Sequence, residues 1–142
     1  MPNIAIIAAT FHQPLTDQMI AAATSEIKKN KAKLIGTYKV TGSFELPLIA
    51  DRLLAKKSID AIVALGFIEK GETLHGEVMG HVVYRALIDL QIDYNKPIGL
   101  GIIGPGATPK QAEVRKIPAA RAAVKAVINS LRVLKEVAER PL

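Results

Sequence analysis

Apolar and polar positions along this chain fall into two regimes, short continuous apolar runs and longer stretches in which apolar residues return at helical spacing. Ile4 to Ala9 and Ala61 to Leu65 are runs of the first kind, as expected of strands covered on both faces, and Leu34 to Val40 and Ile98 to Ile103 read as two further strands. Gly66 closes the third run, and Gly99 and Gly101 are expected to loosen the fourth. Between the runs, Leu15, Met19, Ile20, Ala23 and Ile27 mark a helix from Leu15 to Asn30, with Pro14 well placed at its start. Glu45 to Lys57 reads as a short helix with Pro47 in its first turn. A long third helix runs from near Thr73 to about Asp93, and Asn95-Lys96-Pro97 breaks it. Gly104-Pro105-Gly106 reads as a loop, Thr108-Pro109 as the cap of a short helix, and Pro118 as the start of a last helix ending near Val137.

Strands that alternate with helices call for right-handed crossovers and a parallel sheet clothed on both faces. The expected architecture is a three-layer α/β/α sandwich with a four-stranded parallel sheet, flavodoxin-like, in a single domain spanning residues 1–142. Ligands of such sheets bind outside the carboxyl ends of the strands. The chain has only three Phe, and each falls at such an end: Phe11 after the first strand, Phe44 after the second, Phe67 after the third. Aromatic rings gathered there suit a flat heteroaromatic ligand that stacks. Past Phe67, a loop leads into the third helix, and backbone N–H groups around Gly71, Glu72 and Thr73 lack intrahelical partners, a natural seat for a phosphate. His75 lies in the first turn, where the positive end of the helix dipole disfavours an imidazolium and keeps the ring available for proton transfer.

Composition narrows the reading. With 142 residues, 49% of them hydrophobic, one core is expected, burying about 70% of the surface of the unfolded chain. No apolar run is long enough to span a bilayer, and Met1-Pro2-Asn3 has neither a charged leader nor a cleavage site, so a cytoplasmic location without membrane association is expected. The chain has no Cys, which excludes disulfides and thiolate chemistry, and no paired His/Cys spacing, so no metal is expected; Glu77 and His81 read as a solvated pair. The formal charge of +6 is spread over helix ends, at Lys28, Lys29, Lys31 and Lys33, at Lys56 and Lys57, and at Arg132, Lys135 and Arg140. No aromatics interleave with these cations, which points to complemented helix dipoles rather than a nucleic-acid groove, with a general pull on anionic small substrates.

Gly42-Ser43-Phe44-Glu45-Leu46-Pro47, Ala64-Leu65-Gly66, Gly71-Glu72-Thr73-Leu74-His75 and Gln111-Ala112-Glu113-Val114-Arg115 resemble, in order and spacing, the motifs of the 6,7-dimethyl-8-ribityllumazine synthase family. The resemblance spans nearly the whole chain. It implies a transferase of the penultimate step of riboflavin biosynthesis, condensing 5-amino-6-(D-ribitylamino)uracil with 3,4-dihydroxy-2-butanone 4-phosphate without a cofactor. It further implies that Phe11 grips the pyrimidine, that Ser43, Phe44 and Glu45 hold the ribityl chain, and that Phe67, Ile68 and Glu69 meet the uracil edge. The phosphate would rest at Gly71, Glu72 and Thr73, with Arg115 of a neighbouring subunit as its counter-charge, and His75 would shuttle protons. Sites at subunit interfaces in a pentamer, a pair of pentamers or an icosahedral shell of pentamers complete the picture.

The chain departs from the family in places. The neighbour's aromatic that completes the pyrimidine pocket falls at Leu100, which offers apolar contact instead of stacking. Arg121 aligns with a second basic residue of the family, yet it also continues a polar stripe with Lys125, Asn129 and Arg132. Gly104-Pro105-Gly106 is more like the archaeal members than the common bacterial ones. Two other functions stay open at this level. One is an archaeal-type riboflavin synthase, which shares the fold but lacks the Gly-Glu-Thr-x-His pattern; the other is a non-catalytic flavin-binding or shell protein, against which the His75 and Arg115 pair weighs.

Overall fold

The computed structural model describes residues 1–141. Four strands, β1 (Asn3–Ala9), β2 (Lys33–Val40), β3 (Ala61–Glu69) and β4 (Ile98–Ala107), alternate with α1 (Gln13–Lys29), α2 (Leu46–Leu54), α3 (His75–Tyr94) and α4 (Pro109–Glu139). A 3-10 turn, Ser43–Glu45, leads into α2. All strands are parallel, in the order β2-β1-β3-β4, so the chain forms the expected three-layer α/β sandwich. The chain steps outward from β1 to β2 and then returns past β1 to β3. The loops after β1 and β3 therefore diverge, and a crevice opens over the carboxyl ends of these two strands.

Period-two alternation sends the side chains of β1 into two cores. Ile4, Ile6 and Ala8 pack with α1 and α4, while Ala5, Ile7 and Ala9 pack with α2 and α3. On the α4 side, Gly99 and Gly101 do more than loosen β4. A Cβ on Gly99 would lie 2.3 Å from the Ala123 carbonyl oxygen, and one on Gly101 would lie 2.7 Å from Leu65 Cδ2, so bare backbone here lets α4 press onto the sheet. Among the described residues, no helix is long and apolar enough to cross a membrane.

Several boundaries differ from the sequence reading, and α2 for one starts at Leu46 and ends at Leu54 rather than Lys57. Gly66 does not end β3: the strand runs on to Glu69 because Phe67 pairs with Ile103 and Glu69 with Ala107. Its missing side chain serves close approach, since a Cβ would sit 3.3 Å from Ala9 Cβ and 3.7 Å from Ser43 Oγ. Gly104-Pro105-Gly106 is the distal part of β4 rather than a loop, with a register irregularity between Phe67 and Glu69 absorbing it. Gly104 takes a φ of 95° there, in the left-handed region. The Tyr84 hydroxyl, on α3, bonds the Ile102 carbonyl at 3.0 Å and also meets the Gly104 carbonyl, holding this segment in place. Burial raises the Tyr84 pKa above the ordinary phenol range. Helix α3 starts at His75, later than expected.

The last correction concerns Pro118, which begins no helix but lies inside α4. Proline removes one intrahelical bond, at a cost of about 3 kcal/mol in a helix interior. The helix stays continuous because buried residues anchor it on both sides, Ala112 before the proline and Ala120, Ala123, Val124 and Val127 after it. A capping box formed by Thr108 and Gln111 fixes its start.

The Gly99 contact is backbone against backbone, so Gly99→Ala should destabilise the fold by ~1–3 kcal/mol through overpacking. Urea denaturation followed by circular dichroism measures this, and an unchanged midpoint would mean that α4 moves away from β4 without cost.

Candidate active site

Three loops meet over the carboxyl ends of β1, β2 and β3. The first is tied down by hydroxyls. Thr10 donates to the Val40 carbonyl through both its backbone N–H (2.8 Å) and its Oγ1 (3.1 Å), joining the ends of β1 and β2. The fully buried Thr16 hydroxyl lies 3.0 Å from the Ala9 carbonyl oxygen and 3.1 Å from that of His12. Between these pins, Phe11 projects outward with 81% of its surface exposed.

The second loop brings Ser43, buried to 5% exposure, against the sheet. Glu45 folds back to accept a 2.9 Å bond from the Thr41 hydroxyl across Gly42. Phe44, half-exposed, approaches the His75 ring edge-on, with centroids 6.0 Å apart and planes at 73°. In the third region, Phe67 and Ile68 are buried strand residues of opposite faces, whereas Glu69 at the strand end is exposed. Phe67 is therefore part of the core as much as of the crevice, because β3 outlasts Gly66.

Phe11, Ser43, Phe67, Glu69, Thr73 and His75 share the lining of one cleft of about 320 Å³. That volume lies at the lower end of the range for small-molecule sites, ~300–1,000 Å³. It adjoins a second cavity of about 290 Å³, walled by the Glu69–Leu74 loop, Gly76, Glu77 and Gly106. The His75 N–H donates to Thr73 Oγ1 at 3.3 Å, and no side chain caps the helix from Leu74. The Gly76 and Glu77 N–H groups, in the first turn, have no intrahelical partner. Glu69, Glu72 and Glu77 surround this cavity and Lys70 is the one cation among its lining residues, so a dianion seated there needs positive charge from elsewhere.

Of the residues singled out by the sequence, Phe44 and Glu45 stand beside this cleft without lining it, Glu72 lines only the adjoining cavity, and Arg115 and Leu100 are not brought to it. Arg115, exposed on α4, lines a shallow cavity of about 380 Å³ with Ile102, Ile103, Gly104, Pro118 and Ala119. Leu100 sits in mid-β4 opposite Ala64, half-buried on the α2 and α3 face. Arg121 Nε lies 4.0 Å from the buried Glu26 carboxylate of α1, which also accepts from Asn30 at 2.8 Å. Glu77 and His81 approach to 3.9 Å while both remain exposed. Among the described residues, no three His, Asp or Glu side chains gather as a metal site requires.

The sequence reading missed His12 and Met79, which also line the cleft. His12 had a visible signal, since it directly follows Phe11 at the end of β1; Met79 had none, because only the packing of α3 turns it inward. A larger cavity of about 520 Å³, lined in part by Gln91, Asn95, Pro97 and Val133, opens at the amino end of β4. It lies at the wrong end of the sheet for a switch-point site and collects no titratable pair or aromatic ring.

The fold and cleft together define a doubly wound α/β protein with a cleft of small-molecule size over the switch point of its sheet. A sequence profile of the 6,7-dimethyl-8-ribityllumazine synthase family matches residues 2–135. Proteins named 6,7-dimethyl-8-ribityllumazine synthase from Metallosphaera sedula and Staphylothermus marinus are each 39% identical to it, covering 96% and 99% of this chain and 91% and 93% of their own. The protein of that name from Methanopyrus kandleri is 36% identical, covering 94% of each chain. The chain belongs to the 6,7-dimethyl-8-ribityllumazine synthase family.

The Phe44 ring edge on His75 is directly measurable. Phe44→Ala should shift the ring C–H resonances of His75 by removing a ring current, whereas Phe11→Ala should leave them in place; a His75 signal indifferent to Phe44 would disprove the contact.

Proposed function

We infer that this protein condenses 5-amino-6-(D-ribitylamino)uracil with 3,4-dihydroxy-2-butanone 4-phosphate to give 6,7-dimethyl-8-ribityllumazine, the penultimate step of riboflavin biosynthesis. The observation that carries this is the family match across residues 2–135, on a chain whose switch-point cleft gathers Phe11, Ser43, Thr73 and His75. Amine and ketone join with loss of water, phosphate leaves, and the second amine closes the ring on the remaining carbonyl with loss of a second water. Each step moves protons, and His75, exposed at the cleft beside Phe44, would carry them. Phe11 would stack on the pyrimidine, and Ser43, Phe44 and Glu45 would hold the ribityl chain. The uracil edge would meet Phe67, Ile68 and Glu69, and the phosphate would sit against Gly71, Glu72 and Thr73.

The excess of carboxylates around that loop supports a cation donated in trans, and Arg115 of a neighbouring subunit would supply it. Helix α3 supports an assembly as well. Val78, Val82, Ile88 and Ile92 of α3 and Leu74 just before it stay 55%, 53%, 42%, 74% and 71% exposed, apolar surface interspersed with His81, Arg85 and Asp89 that a second copy would bury. We propose a cytoplasmic ring of subunits, a pentamer or assembly of pentamers, in which Leu100 contributes apolar contact across the interface.

Mixing the two substrates with the protein should generate lumazine absorbance, and His75→Ala should slow turnover ~100- to 10,000-fold with little change in substrate affinity. Turnover unaffected by His75→Ala would remove the residue from the mechanism. Shared sites predict complementation. Co-refolding Phe44→Ala with Arg115→Ala at equal ratio should leave about a quarter of interfaces intact if chains mix randomly around a ring. Mixed assemblies, verified by mass, that stay as inactive as their parents would place Arg115 and its phosphate in one chain.

A further inference from the structure

We propose that His12 is a positioning residue that holds Phe11 in the orientation needed to stack on the pyrimidine, a role that rests on the stacking assignment made above. Phe11 is 81% exposed, so the surrounding core does little to hold its ring. Its close ring partner is His12, edge-on, with centroids 5.1 Å apart and planes at 80°. His12 in turn leans on Phe67, centroids 4.6 Å apart and planes at 41°, and Phe67 is locked in β3 at 6% exposure. The contact thus runs from a core ring through an imidazole to an exposed ring.

The backbone of His12 is held just as firmly. Its carbonyl accepts from the Thr16 N–H at 3.0 Å and from the buried Thr16 hydroxyl at 3.1 Å. The residue also breaks a local rule. His12 occupies the N-cap position of α1, where Ser, Thr, Asp or Asn would bond the first free N–H groups, and its side chain makes no capping bond. The ring faces the two phenyl groups instead. A helix cap is given up at a place where the imidazole braces the cleft wall, the kind of local inconsistency that accompanies functional positions.

His12→Ser supplies the missing cap and removes only the ring, so a loss of affinity in this variant is not a loss of fold. Initial rates are measured with the pyrimidine varied at saturating butanone phosphate and one fixed pH. His12→Ser should raise the pyrimidine KM ~2- to 10-fold, the range that an aromatic pair is worth, with kcat unchanged. His12→Phe, which keeps a ring against Phe67 without ring nitrogens, should restore it. In a Phe11→Ala background, His12→Ser should add nothing. If His12→Phe is as impaired as His12→Ser, or if the two losses add, the proposal is overturned and the imidazole acts on the substrate itself. If Phe11→Ala alone leaves the pyrimidine KM unchanged, the stacking assignment fails separately, and fluorine NMR of the fluorophenylalanine-labelled protein then decides. A Phe11 signal that moves to the free-ring position in His12→Ser, but not in His12→Phe, upholds the bracing. A signal unmoved by His12→Ser refutes it.

Discussion

The pairing of β1 with β3 is the constraint on which the rest of this structure depends. Ile4 to Ala8 and Ala61 to Leu65 are fully buried, apolar on both faces, and paired from Ile4–Ala61 to Ala8–Leu65. Two such strands leave no position along their length for a polar or charged group, because none would find a partner there. Chemistry is displaced to the carboxyl ends, and the reversal of strand order makes those ends diverge. The cleft stands where the sheet stops being able to hide its backbone.

Hydroxyl groups hold that edge in place. Thr10 and Thr16 fasten the turn after β1 to backbone carbonyls, and Tyr84 does the same for the distal part of β4. Each hydroxyl is satisfied by main-chain oxygen, so none leaves a buried group unpaired. Glu26 follows the same logic at the other end of α1, where Asn30 and Arg121 answer its carboxylate. These bonds let exposed residues such as Phe11 and Phe44 sit on a firm frame at the edge of the sheet.

The electrostatics around the loop before α3 support the proposal that the site is completed by a second copy of the chain. Three carboxylates and one lysine around the loop before α3 do not welcome a phosphate dianion, and the candidate guanidinium points into a different cavity of the same chain. Exposed apolar residues along α3 support the same proposal of a ring of subunits.

Much of this was legible in the residues. Continuous apolar runs specified the buried strands, helical spacing specified the helices between them, and the parallel sheet followed from their alternation. Phe11, Phe44 and the Gly71 to His75 segment fell at strand ends, so the end of the sheet that carries the candidate cleft was readable from order alone. The sequence could not say where strands would stop, because pairing with β4 carried β3 past Gly66 and made Phe67 a core residue. Nor could it show Pro118 overridden, since that depends on the residues α4 buries on either side. The reason is common to both: propensity acts within a few residues, whereas the contacts that outweigh it join positions far apart in the chain. The brace from Phe67 through His12 to Phe11 is of the same kind, with its inner ring on β3 and its outer two on the turn after β1. Local sequence determined which elements form and which end of the sheet carries the cleft, and only their packing decided how far each element runs and which side chains share it.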